Sequence, residues 1–200
     1  VTAVILISIG LAIHLSGGVK ERMDIEFVTP IRSILIADCF DDKSVNDVNF
    51  CELGDEAKTK YSFVVIGDSH SGSFISSLDE LSTKYGLKGL YGGTSGCLAF
   101  LGVTPVRDEI SSTRCEILSN KAAELIKKHS IKDLIIFGRW SYYTGPSSIS
   151  QKWQPIINSE TRDVDQEHSR IVFQTQFDET IEYYKNLGVN VTIVKQVPYQ

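Results

Sequence analysis

The sequence predicts an α/β fold, with helices covering both faces of a three-layer, doubly wound parallel sheet. Three observations carry this expectation. Short apolar runs at Ser62–Ile66, Lys88–Tyr91, Asp133–Phe137 and Asn190–Val194 alternate with longer stretches of helical spacing. The resulting order β-α-β-α-β-α-β calls for parallel pairing through right-handed crossovers. The strongest runs, Phe63-Val64-Val65-Ile66 and Leu134-Ile135-Ile136, are continuously apolar rather than alternating, as a sheet covered on both faces requires.

Each element has a local reason. After Ser62–Ile66, Phe74, Leu78, Leu81 and Tyr85 fall on one helical face at i, i+4, i+7 and i+11, and Gly86 supplies the stop. A weak strand, Lys88-Gly89-Leu90-Tyr91, opens into Gly92-Gly93-Thr94-Ser95-Gly96-Cys97. A helix is expected over about Ile110–His129, with Leu118, Ala122, Leu125 and His129 in register, followed by the strand Asp133–Phe137. Residues 139–169 read as one long connection rich in Ser, Tyr, Trp and Pro, a length that usually signals function inside a compact domain. The last helix, near Ser169–Leu187, would bury Phe173, Phe177, Ile181 and Tyr184 and end at Gly188 before the strand Asn190–Val194.

Residues 17–60 are polar and irregular, with turn chemistry at Asp41-Asp42-Lys43 and Asn46-Asp47. Before them, Val1–Leu15 carries no charge. It is short of the ~20 apolar residues that span a bilayer, and it lacks the basic n-region of a signal peptide. A buried core segment is one reading. The preferred one is the end of a transmembrane helix over residues 1–16, an extracytoplasmic tether over 17–60 and a globular domain over 61–200. Val1 and Gln200 both look like cuts in a longer protein.

Composition narrows the classes. In 200 residues, 42% hydrophobic and 22% charged content is that of a globular chain. The net charge of −5, without a Lys/Arg block, excludes a nucleic-acid footprint. The four cysteines, Cys39, Cys51, Cys97 and Cys115, include no Cys-x-x-Cys and have no histidines at metal-ligand spacing, so no metal site is expected. Their spacing suits two local bridges, Cys39–Cys51 and Cys97–Cys115, each worth about 3 kcal/mol in the chain-entropy model. Four reduced cysteines in a cytosolic protein is the alternative.

Gly67-Asp68-Ser69-His70 follows directly on the strand Phe63–Ile66. A serine at a strand-to-helix turn stands at the carboxyl edge of a parallel sheet, where open α/β folds place ligands. Its hydroxyl then lies near backbone N–H groups able to hold an oxyanion. Ser69 reads as a nucleophile; equally, Asp68 or Ser69 is a helix N-cap. Gly96, in the next strand-end loop, allows close backbone approach to a ligand or simply makes a turn. Arg139, Trp140, Tyr142 and Tyr143 follow the third strand. Arg139 would suit an anionic or hydroxyl-rich ligand, and Trp140 and Tyr143 would stack on sugar rings or close the core.

Together, Gly67-Asp68-Ser69-His70, Ser95-Gly96-Cys97 and Gly138-Arg139-Trp140 resemble the SGNH (GDSL-type) hydrolase superfamily, a flavodoxin-like fold, over about residues 61–200. The version fused behind the membrane domain of acyltransferase family 3 proteins is the most similar. The resemblance implies a domain at the cell inner membrane, on the periplasmic or extracellular side, that moves acyl groups, usually acetyl, onto sugar hydroxyls of surface polysaccharide such as lipopolysaccharide. It implies Ser69 as nucleophile, the N–H groups of Ser69 and Gly96 as oxyanion donors, and Asp68 as support. No cofactor is implied in this domain, the acyl donor, such as acetyl-CoA, being used by a membrane domain of the same chain.

The pattern departs from the family in two places. The third block's asparagine is absent, and Trp140, with Arg139 beside it, takes about that position. The family's Asp-x-x-His, which follows the last strand, is read as absent from these 200 residues and is expected beyond Gln200. His70 would point away from Ser69, His129 sits in a helical register, and His168 lies in a loop behind Asp163 and Asp165. Three functions compete: O-acyltransferase, carbohydrate O-acetyl esterase, and non-catalytic glycan binding on a Trp140, Tyr142 and Tyr143 platform.

Overall fold

The computed structural model describes residues 2–15, 39–40, 47–145 and 153–196. The chain divides into two units, Val1–Pro30 and Ile31–Gln200. In the first, α1 (Thr2–Leu15) is a 14-residue helix. Its apolar side chains are exposed all round, Ile5, Leu6, Ile7, Ile9, Leu11, Ile13 and Leu15 among them. Among the described residues no helix is long and apolar enough to cross a membrane. The turn at Asp41-Asp42-Lys43 lies outside the described residues.

The second unit is an α/β domain. Its elements are β1 (Cys51–Gly54), β2 (Phe63–Gly67), α2 (Ser69–Lys84), β3 (Lys88–Gly93), β4 (Thr104–Pro105), α3 (Glu109–His129), β5 (Asp133–Phe137), α4 (Trp140–Thr144), β6 (Ile156–Ile157), α5 (Gln166–Asn186) and β7 (Asn190–Ile193). The main sheet has the order β1-β3-β2-β5-β7. β2 lies between β3 and β5, parallel to both, and β7 continues the parallel set on β5. Gly67 is therefore level with Gly93 on one side and Phe137 on the other. The loops leaving β3, β2 and β5 thus emerge together at one edge.

Alternate residues of β2 feed opposite layers. Val64 and Ile66, with Leu90, Leu134 and Ile136, pack under Leu118, Ala122 and Ile126 of α3 and Val172 and Tyr184 of α5. Phe63 and Val65 face the other way, with Tyr91, Phe137, Leu53 of β1 and Ile75 of α2. All five residues of β2 are buried. Fully burying such a side chain stabilises by about 1.5–3 kcal/mol, so this strand anchors both layers.

The structure corrects the expected sheet in three respects. It is mixed rather than wholly parallel, because β1 pairs antiparallel with β3 at the edge. β1 falls in the stretch read as tether, where its single apolar side chain, Leu53, was too short a signal. It is tied down by the Cys39–Cys51 disulfide and by the Gly54 N–H, which donates to buried Asp79 Oδ1 at 2.7 Å. The connection 139–169 is not one loop: it contains α4, β6 and the start of α5, and β6 pairs antiparallel with β4 in a small second sheet.

The helix after β2 is present, but its buried stripe is Ser71, Ile75, Asp79 and Ser82. Phe74, Leu81 and Tyr85 of the expected face are exposed, and Leu78 is half-buried. The polar residues are turned inward by specific partners: Ser71 Oγ donates to the Asp68 carbonyl and meets Tyr91 Oη, and Asp79 receives Gly54. His129 is the last residue of α3, exposed and edge-on to Tyr61.

Candidate active site

Asp68 organises the edge. It is the N-cap of α2, and Oδ1 accepts the His70 N–H at 2.9 Å, which supplies one orphan donor of the first turn. Oδ2 accepts the Arg139 N–H at 2.7 Å and the Tyr143 hydroxyl at 2.9 Å. One carboxylate, 1% exposed, therefore joins the end of β2 to the end of β5 and to α4. Burying a carboxylate is costly unless its lone pairs are met, and here three donors meet them. Burial, with the Asp68 charge second, pushes the Tyr143 phenol well above its ordinary pKa, so it remains a donor.

Ser69 is the first residue of α2 and is exposed. Gly67 before it lies so close to β5 that a Cβ would sit 2.5 Å from the Phe137 carbonyl oxygen. This close approach explains the glycine and brings the β2 and β5 loops together. On the other side the Thr94 N–H donates to the Gly67 carbonyl at 3.2 Å, which draws in the loop carrying Ser95 and Gly96. Gly96 has φ +62°. Arg107 Nη1 donates to the Ser95 carbonyl at 2.5 Å, and the Cys97–Cys115 disulfide ties the next residue to α3.

Among the described residues the backbone N–H groups of Ser69, Gly96 and Trp140 have no hydrogen-bond partner. Each stands on the first turn or loop after one of three adjacent parallel strands, β2, β3 and β5. Of the two residues expected near the missing asparagine, Arg139 has its N–H committed to Asp68. Its guanidinium lies over the Tyr142 ring, 4.9 Å from the centroid. The Trp140 indole N–H is committed to the Val194 carbonyl at 2.9 Å. The ring stacks on Phe100 with centroids 5.8 Å apart. What Trp140 leaves open is its main-chain N–H.

Tyr143 is fully buried. It supports Asp68 and offers no ring face to a sugar, which corrects its expected substrate-binding role.

A match to a protein-family model covers residues 38–200; that family is the SGNH domain, of the kind fused to AT3 domains. The chain belongs to the SGNH domain family. No curated protein and no solved structure matches it. The family supports a hydrolase-like handling of acyl groups and an activity of the esterase or acyltransferase type. Both expected disulfides of the SGNH domain, Cys39–Cys51 and Cys97–Cys115, are formed, with Cα separations of 5.8 and 5.4 Å.

Two histidines of the SGNH domain, His70 and His168, stand beside carboxylates. His70 Nδ1 is 3.3 Å from Asp68 Oδ1 but misses hydrogen-bond geometry. The spacing Asp-x-x-His does occur, before β7 rather than after it, at Asp165-Gln166-Glu167-His168. It was hidden by reading His168 as a loop residue, though the interval between the two was visible. Asp165 caps α5, accepting the His168 N–H at 2.9 Å, and its Oδ2 lies 2.6 Å from His168 Nδ1. That hydrogen bond, with the charges of Asp165, Asp163 and Glu167 behind it, raises the His168 pKa. No histidine among the described residues hydrogen-bonds Ser69. A cavity of about 440 Å³ lies elsewhere, between α3 and the β4–β6 pair, lined by Thr104, Glu116, Asn158 and Arg162.

Proposed function

We propose that this SGNH domain is the periplasmic or extracellular part of a membrane O-acyltransferase, which passes an acyl group, in the first instance acetyl, through a Ser69 ester to a sugar hydroxyl of a surface polysaccharide. The observation that carries this is exposed Ser69 amid three N–H groups that have no partner among the described residues, on loops drawn together by Asp68 and Thr94. Ser69 Oγ attacks the acyl carbonyl, giving up its proton to a base as the C–O bond forms. The N–H groups of Ser69, Gly96 and Trp140 bind the oxyanion. The donor's leaving group departs with the proton. In the second half-reaction a sugar hydroxyl attacks the ester and Ser69 regains its proton, a ping-pong course.

Transfer is preferred to hydrolysis because of α1, whose apolar side chains on every face suit a lipid or protein interior rather than water. That helix would hold the domain beside a membrane partner of the same natural chain, where the acyl donor is used. The glycan-platform reading loses support from Tyr143, buried on Asp68, and from Trp140, packed on Phe100.

Ser69→Ala in the natural full-length protein should abolish acetylation of surface glycan while leaving the thermal midpoint within a few degrees. Retained acetylation would end the proposal. Residues 1–200 alone should not turn over small acetyl esters. Turnover that disappears with both Ser69→Ala and His168→Gln would instead assign the base to His168.

A further inference from the structure

Arg107 has no place in the acyl-serine chemistry described so far, yet it grips the peptide that carries one of the oxyanion donors. Its Nη1 donates to the Ser95 carbonyl oxygen at 2.5 Å. The guanidinium also lies across Gly96: a Cβ built there would meet Nη1 at 2.7 Å and Cζ at 3.3 Å. The flank of Gly96 that a side chain would occupy is thus filled by arginine, and a reacting carbonyl has to approach from elsewhere.

We infer that Arg107 is a positioning residue that aims and strengthens the Gly96 oxyanion donor; the inference rests on the acyl-serine reading above. The Ser95–Gly96 peptide is trans. In a planar trans peptide the carbonyl and the following N–H point in opposite directions. Holding the Ser95 oxygen on one side therefore turns the Gly96 N–H to the other, away from Arg107, where it has no partner among the described residues. A hydrogen bond from a cation is among the strong ones. By drawing electrons toward the carbonyl it polarises the same peptide's N–H, making it a better donor to a developing oxyanion.

The setting favours a fixed geometry. Arg107 immediately precedes Asp108, the N-cap of α3, whose carboxylate accepts the Ser111 N–H at 3.0 Å. α3 also carries Cys115, bonded to Cys97. The Ser95-Gly96-Cys97 segment is consequently held at both ends by one stretch of chain, through Arg107 at its start and a disulfide at its finish. Gly96 is required on two grounds, its φ of +62° and the arginine across it.

The test compares Arg107→Ala, Arg107→Met and Arg107→Lys with Ser69→Ala in the natural full-length protein, measuring kcat and KM for acyl transfer. Removing an oxyanion donor outright costs ~10²–10³ in kcat; misdirecting one should cost part of that. Arg107→Ala and Arg107→Met should lower kcat by about tenfold to a hundredfold with KM within about twofold, and Arg107→Lys, still able to hold the carbonyl, should recover most of the loss. Amide exchange across residues 94–97 should quicken in the Ala and Met variants and not in the Lys variant. Should Arg107→Ala fail to fold, the Met and Lys pair carries the same comparison.

Unchanged kcat in the Ala and Met variants, alongside a dead Ser69→Ala, would overturn the role of Arg107 and leave the acyl-serine reading standing. A raised KM with unchanged kcat would also overturn it, since Arg107 would then be binding a substrate directly. Activity retained in Ser69→Ala would remove the acyl-serine reading itself, and this inference with it.

Discussion

Asp68 was legible in the sequence only as a cap or a support, because its decisive partners are 71 and 75 residues away, at Arg139 and Tyr143. Tyr143→Phe should therefore destabilise the domain by about 1.5–3 kcal/mol, the range for a hydrogen bond to a charged group, measured by urea unfolding. Its pH dependence has a definite sign. The folded Tyr143 pKa is raised, so its contribution is intact below the unfolded value, about 10, and is lost as pH rises beyond it. The phenylalanine variant should lose stability less steeply above that pH. An equally steep alkaline slope would show that Tyr143 ionises as readily folded as unfolded. At Gly96, alanine meets both a left-handed backbone and Arg107 Nη1. The backbone alone costs roughly 1–2 kcal/mol. Because the guanidinium is the far end of a flexible side chain, it should swing aside and release the Ser95 carbonyl, so Gly96→Ala should lower both the thermal midpoint and acyl transfer.

At the scale of elements, strands and helices were readable where apolar residues ran together, as in β2 and β5, and unreadable where polar contacts decided. The face of α2 shows the difference. Its apolar periodicity pointed to Phe74, Leu78, Leu81 and Tyr85, but the helix rolls to bury Ser71 and Asp79, whose partners Tyr91 and Gly54 come from β3 and β1. Nothing local announces those bonds. β1 was missed for the same reason, since Leu53 alone is too short an apolar signal and the bond that holds Gly54 comes from distant Asp79. Asp79→Ala would leave the Gly54 N–H buried without its acceptor, a loss of about 1–3 kcal/mol. The urea midpoint should fall with an unchanged slope, the sign of lost stability without altered compactness. The start of α5 makes a separate prediction. His168 should titrate above the ordinary histidine value in an NMR pH series, and Asp165→Asn should bring it down, because the Asp165 hydrogen bond is the largest cause of the rise. An unmoved midpoint in that variant would assign the shift to Asp163 and Glu167.

For the whole molecule, the site's blocks were legible because a doubly wound sheet sends the loops of neighbouring strands to one edge, so the loops carrying Ser69, Gly96 and Trp140 could be grouped from order, while the choice of Gly96 and Trp140 within them came from the family resemblance. Which N–H near the missing asparagine stays open was not legible, because that depends on Val194 taking the Trp140 indole N–H and Asp68 taking the Arg139 main-chain N–H. The two disulfides separate stability from site geometry in a way no single side chain can. They close intervals of 12 and 18 residues. Loop-closure entropy assigns each about 3 kcal/mol, and the difference in loop length amounts to only ~0.4 kcal/mol. Replacing either pair by serines should thus lower stability by nearly the same amount. Activity should not follow stability. Cys97 adjoins Gly96, whereas Cys51 belongs to β1 at the far edge of the sheet, with β3 between it and β2. Cys97→Ser with Cys115→Ser should reduce acyl transfer by at least tenfold at temperatures where both double variants remain folded, a barrier increase of about 1.4 kcal/mol. Cys39→Ser with Cys51→Ser should leave the rate within about twofold of the natural protein under the same conditions. Equal losses of activity in both would mean that the Cys97–Cys115 bond supports folding alone and that Arg107 suffices to hold the Gly96 peptide.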